Sequence, residues 1–176
     1  MLIDTILKFI NIHIMSKMIN ILDAMPHRER LAWITLLSIL VTLVPYLAWM
    51  SLHPPTRPMP DLPTMGTFAF AVIVHAIFMA GGATWLRLAW PDDAVAPADE
   101  RDRAVQHRAL VVAYYVTIVG LILVGCIMPF TAAGWTLVNA AIATIVVAEL
   151  LHSGLVIVGY RWTGQPRLAS TGAVRG

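Results

Sequence analysis

Four apolar runs, each twenty or more residues long and almost free of charge, dominate this chain: Leu31–Met50, Gly66–Ala89, Ala109–Phe130 and Trp135–Tyr160. Each is long enough to cross a hydrocarbon layer about 30 Å thick as an α-helix. In lipid every backbone N–H and C=O has to be satisfied within the protein, so a spanning segment is either a helix or a strand of a closed barrel. The runs show no period-two alternation, which excludes barrel strands. The expected fold is therefore all-α, an integral membrane four-helix bundle. Composition agrees, with 59% hydrophobic and 12% charged residues, against about a quarter charged in soluble domains. Residues 1–30 form an N-terminal segment, 31–160 the membrane domain and 161–176 a tail. None of the connections could hold a separate soluble domain.

Charge placement gives the orientation, because cytoplasmic flanks retain Lys and Arg. Eleven of the 12 cations lie before the first run, in the central loop and its borders from Arg87 to Arg108, or after the fourth run. Only Arg57 lies on the other side, in the Pro-rich segment HPPTRPMPDLP. Both termini and the central loop are thus expected to be cytoplasmic. Trp33, Trp49, Trp85, Trp90, Trp135 and Trp162 fall near the run ends, as interfacial anchors do. Pro45 predicts a kink in the first span, and Pro129 with Gly134 a tight turn between the third and fourth. The prolines from Pro54 to Pro63 predict an extended strap over the outer end.

Residues 1–22 carry Ile3, Ile6, Leu7, Ile10, Ile14, Met18 and Ile21 at helical spacing, the pattern of an interfacial amphipathic helix. The same stretch holds both lysines of the chain, Lys8 and Lys17, and seven isoleucines, while every later cation is Arg. That break in composition fits equally an over-long start, with the initiator at Met15, Met18 or Met25.

An ionisable side chain at a span centre costs about 2.5–3.5 kcal/mol on insertion scales. Three polar residues at mid-span therefore need a reason: His75 in the second span, and Glu149 and His152 in the fourth. Glu149-x-x-His152 is the spacing used by carboxylate-bridged metal sites in bundles, but no other Asp or Glu lies in any span, so no metal is expected. A haem between His75 and His152 would need ligands at one level, and counting from the span ends separates them by about 7 Å. No cofactor is expected either. Glu149 is expected to bond a buried partner such as His75, Tyr114 or Asn139 and to specify packing. The competing reading is a proton or ion relay through Glu149, His152 and His75. Ala71, His75, Met79 and Gly82 share one helix face, and Tyr114, Ile118 and Gly125 another; both are expected to allow close helix approach. Cys126 is the only cysteine, which excludes an intrachain disulfide; it is expected to be a small buried hydrophobe.

The central loop mixes Asp92, Asp93, Asp99, Glu100 and Asp102 with Arg101, Arg103 and Arg108. Pro97 followed by Asp99 and Glu100 marks a helix start, and so a cytosolic extension of the third span by two to three turns. Asp99, Glu100, Arg101, Asp102, Arg103 and Arg108 are the candidate docking surface for a cytosolic partner. No catalytic triad, phosphate loop or His-Glu-x-x-His motif occurs. The pI near 9.0 reflects topology charges beside anionic lipid, not a nucleic-acid partner.

The run Asp99-Glu100-Arg101-Asp102-Arg103, then His107-Arg108, then Ala113-Tyr114-Tyr115-Val116, resembles the hallmark of an uncharacterised family of small prokaryotic multi-span membrane proteins, a domain of unknown function. The resemblance covers mainly residues 98–160, including Ala148-Glu149-Leu150. It implies a multi-pass protein of the bacterial inner membrane. Members paired with small helix-turn-helix regulators imply a regulatory setting. No catalytic motif belongs to the resemblance. The leading expectation is a non-enzymatic accessory or regulatory module in the bilayer, docking a cytosolic protein. The alternative is a homo-oligomeric, proton- or ion-coupled transport component.

Overall fold

The computed structural model describes residues 25–55, 60–95 and 97–163. The expected N-terminal amphipathic helix, Arg57 and the tail from residue 164 lie outside the described residues. The described chain is helical: α1 His27–Leu52, α2 Leu62–Ala89, α3 Pro91–Val95, α4 Glu100–Ile122 and α5 Trp135–Thr163. A π-helical turn, Leu123–Ile127, and a 3-10 turn, Met128–Phe130, extend α4. Four helices are long and apolar enough to cross a membrane: α1, α2, α4 with its extension, and α5.

The ends follow from local chemistry. Asp99 accepts the amide of Asp102 at 2.6 Å and caps α4, while Glu100 and Asp102 occupy the first turn, where acids oppose the helix dipole. The extension of the third span is therefore as the loop sequence predicts. α2 starts at Leu62, earlier than the apolar run suggests. Pro63 fits in its first turn, where no amide is needed, and the Thr64 hydroxyl donates to Asp61 at 2.5 Å. Pro63, assigned to the strap by its sequence context, therefore belongs to α2, while residues 56–59 of that segment lie outside the described residues. Gly134 turns the chain into α5 with φ of 57°, a left-handed conformation that Gly adopts without a Cβ penalty. α1 continues through Pro45 as one helix.

The main packing pairs of long helices are α1 with α2, α1 with α5, and α5 with α4; α2 and α4 share no comparable interface. The bundle is thus an open row, α2–α1–α5–α4, and not a closed ring. Two apolar clusters hold it. At the basic end Ala32, Val105, Ala109, Val156, Ile157 and Tyr160 pack with Trp33 and Leu36. At the opposite end Tyr46, Met50 and Ala71 pack with Leu43, Phe68 and Ile142. Small residues set the spacing. A Cβ on Gly82 would meet Ile34 Cγ2 at 2.7 Å, one on Gly159 would meet Val105 Cγ1 at 2.7 Å, and one on Gly120 would collide with Thr144. α2 packs on α1 through Ala71, His75 and Gly82, as its shared face predicts.

α4 departs from expectation. Its buried stripe is Val105, Ala109 and Ala113, and Gly120 continues it. Tyr114 and Ile118 are 59% and 38% exposed, and nothing lies within 4 Å of a Cβ on Gly125. The reason is angular: Tyr114 is about 100° around the helix from Ala113, so only one of the two stripes can meet α5. Cys126, expected to be buried, is exposed, because the π-helical turn lies on a helix that packs along one narrow seam.

Candidate functional site

Two polar assemblies interrupt the apolar surfaces, one at the basic end and one at mid-span. At the basic end α1 opens with Arg28, Glu29 and Arg30, and each charge joins a different element. Arg30, only 2% exposed, pairs with Asp93 of α3 at 3.2 Å and lies 4.2 Å over the Trp90 ring. Glu29, 5% exposed, faces Arg161 of α5 at 3.6 Å, and the Arg161 guanidinium also covers Trp33. Arg28 faces Asp102 of α4 at 3.6 Å. The buried Tyr160 hydroxyl donates to the other Asp102 oxygen at 2.6 Å, and Arg101 donates to the Tyr160 carbonyl at 3.1 Å. Buried charges are tolerated when their lone pairs and protons find partners, and Arg suits such places because its fork and flat face can be used together. The result is one knot that ties together α1, α3, α4 and α5. His27 borders it with a buried Nδ1 that has no hydrogen-bond partner among the described residues. Burial, then the Arg30 charge, holds this imidazole below its ordinary range.

The proposed docking residues divide into two groups. Asp99 is spent on the helix cap, and Asp102 and Arg101 are bonded to Tyr160. Glu100, Arg103 and Arg108 are exposed. In the sequence Arg28, Arg30 and Arg161 register only as topology charges, and neither Glu29 nor Tyr160 stands out. Alternating Arg28-Glu29-Arg30 before Trp33, facing Tyr160-Arg161 before Trp162, was the available signal.

At mid-span Ser38 and His75 Nδ1 are 2.8 Å apart, and Thr42 lies 3.3 Å from the same nitrogen. Thr42 donates its only hydroxyl proton to the Ser38 carbonyl at 2.6 Å, so towards His75 it can only accept. An Nδ1–H that donates to both hydroxyls satisfies the network and leaves an acceptor lone pair on Nε2. Glu149 lies at the same depth. The pairs Tyr46 with Asn139 and Ala32 with Val156 set the antiparallel register of α1 and α5, which puts Ser38 level with Glu149. His152 is one turn, about 4.5 Å, nearer the basic end.

Glu149 is exposed and His152 partly exposed; neither has a hydrogen bond or ion pair among the described residues. The partners expected for Glu149 are engaged elsewhere. Tyr46 donates to Asn139 at 3.0 Å, His75 turns to α1, and Tyr114 stacks edge-on with Tyr115 at 5.8 Å. Glu149 nevertheless shares a stripe with Ile142 and Val156, seven residues either side. Ile142 packs in one apolar cluster and Val156 in the other, so the seam is closed at both ends and open at the carboxyl between them. Among the described residues no three His, Cys, Asp or Glu side chains group as metal ligands. Comparison with known protein families, curated proteins and solved structures found no match.

Proposed function

We propose that this chain is a non-enzymatic accessory or regulatory module of the bacterial inner membrane that presents a rigid charged platform to a cytosolic protein. The observation that carries this reading is the knot at the basic end. With the Asp99 cap, it engages Arg101 and Asp102 internally and leaves Glu100, Arg103 and Arg108 exposed on a helix whose first turns it ties to α1 and α5. A charged rim on a fixed support favours selective docking, since partner orientation is set by complementary charges held in place. The test is site-specific photocrosslinking from Arg108 in intact cells. One discrete protein adduct, lost when Glu100→Lys and Arg103→Glu are combined, supports docking. An adduct pattern unchanged by that reversal overturns it.

A second reading, an oligomeric proton- or ion-coupled component, is favoured by the polar layer at mid-span. Ser38, Thr42, His75, Glu149 and His152 lie between two apolar clusters, where intramembrane carboxyls and imidazoles serve in relays. Proton flux in liposomes that depends on Glu149 would support it. Flux unchanged by Glu149→Gln would sink it.

A further inference from the structure

A carboxyl exposed at the middle of a long apolar helix, with no partner among the described residues, has to be covered by something other than lipid tails. The angular positions of the residues on α4 and α5 give the side. On the opposite side, a groove between α4 and α5 is lined by Tyr115, Val119, Leu123, Ala143 and Val147. Glu149 is about 160° around α5 from Val147, and Tyr114 about 140° around α4 from Val119. Both therefore stand on the side away from that groove. Ile145, 53% exposed, is one turn from Glu149 on this side.

We infer that a second copy of the chain closes this side, with Glu149 of each protomer accepting a hydrogen bond from the His152 imidazole of the other. The occupant follows from chemical complementarity. The face carries an acceptor, Glu149, and a donor, His152, one turn apart and unpaired among the described residues. A two-fold axis along the membrane normal makes such a face complementary to itself, because residue i meets j while j meets i. The 4.5 Å offset between the two levels is within reach of a glutamate side chain. A different protein would have to supply both groups at the same spacing. A copy of this chain has them already. The inference does not depend on the docking rim, which lies at the basic end.

The experiment uses the full chain in lipid nanodiscs and intact membranes, with Cys126→Ala removing the native thiol. Ile145→Cys in this background is expected to form a disulfide-linked dimer on mild oxidation. Val147→Cys, 48% exposed at the same depth on the other side, is expected to form little. Glu149→Leu should raise the dimer dissociation constant at least tenfold, measured by fluorescence energy transfer between labelled copies. Combining Glu149→His with His152→Glu should recover most of that loss. Should a substituted chain fail to fold, counting labelled wild-type copies in native lipid still decides. Two per particle supports the inference; one per particle overturns it. Cross-linking that is stronger from Val147→Cys than from Ile145→Cys, or reaches only an unrelated protein, also overturns it. The photocrosslinking readout at Arg108 is separate, so either result can fail without the other.

Discussion

At the scale of single residues, Tyr160 and Asp102 decide how the basic end holds together. The Tyr160 ring is buried in the apolar cluster, 4% exposed, and its hydroxyl supplies one carboxylate oxygen of Asp102 while Arg28 faces the other. Tyr160→Phe keeps the packing and removes a hydrogen bond to a charged group, a loss of about 1.5–3 kcal/mol. The expected result is a clear fall in the melting temperature in detergent, with helix content retained. His27 adds a pH dependence. Unfolded, its imidazole titrates near 6.5; folded, burial and Arg30 hold it lower, Arg28 and Arg87 act in the same direction, and only Asp93 opposes them. Between the two values the unfolded chain binds more protons, so stability is complete above pH 6.5 and declines as pH falls towards the folded value. Thermal melts from pH 7.5 downwards should show that decline, and His27→Gln should flatten it. Neither residue stood out in the sequence. A Tyr at a span end reads as an interfacial anchor, and only the fold brings it against a carboxylate 58 positions away. Mid-span His75, Glu149 and His152 were legible because any polar group there is conspicuous, but their partners were not. Depth can be counted along a helix, whereas facing depends on which neighbour a helix chooses.

At the scale of elements, the four spanning helices and the turn at Gly134 were legible because length and hydropathy are local properties. The helix start at Asp99 was equally so, since a cap is chemistry between near neighbours. Two features were not. The π-helical turn at Leu123–Ile127 carries no composition signal, and α3 consists of five residues, too few to show a period. The choice between two small-residue stripes on α4 was also open in the sequence, and glycine substitutions measure it. Gly120 meets Thr144, whose hydroxyl is already held by the Ala140 carbonyl at 3.0 Å, so Gly120→Ala forces the side chain or α5 to move. Overpacking of this kind costs about 1–3 kcal/mol. At Gly154 nothing lies within 4 Å of a new Cβ, and Gly154→Ala should be neutral or stabilise by up to about 1 kcal/mol through helix propensity. Equal melting temperatures for the two variants would mean that α4 meets α5 through a different stripe.

At the scale of the molecule, an open row of helices tied at one end by charges divides into a rigid half and a less constrained half. The basic end combines an apolar cluster with ion pairs that reach four elements. The opposite end has a smaller cluster and the Tyr46–Asn139 bond. That asymmetry parallels the charge pattern of the sequence, from which 11 of 12 cations are expected on one side. The arginines that are expected to hold the topology during insertion are in part the same ones that lock the finished fold, Arg28, Arg30, Arg101 and Arg161. Orientation therefore has a direct test that uses Cys126→Ala as background. Ser51, exposed at the end of α1, and Glu100, exposed at the start of α4, lie at opposite ends of the bundle. With the basic end in the cytoplasm, a membrane-impermeant maleimide should label Ser51→Cys in intact spheroplasts and label Glu100→Cys only after lysis. The reverse order would place the charged rim outside the cell, and a cytosolic partner could then not reach it.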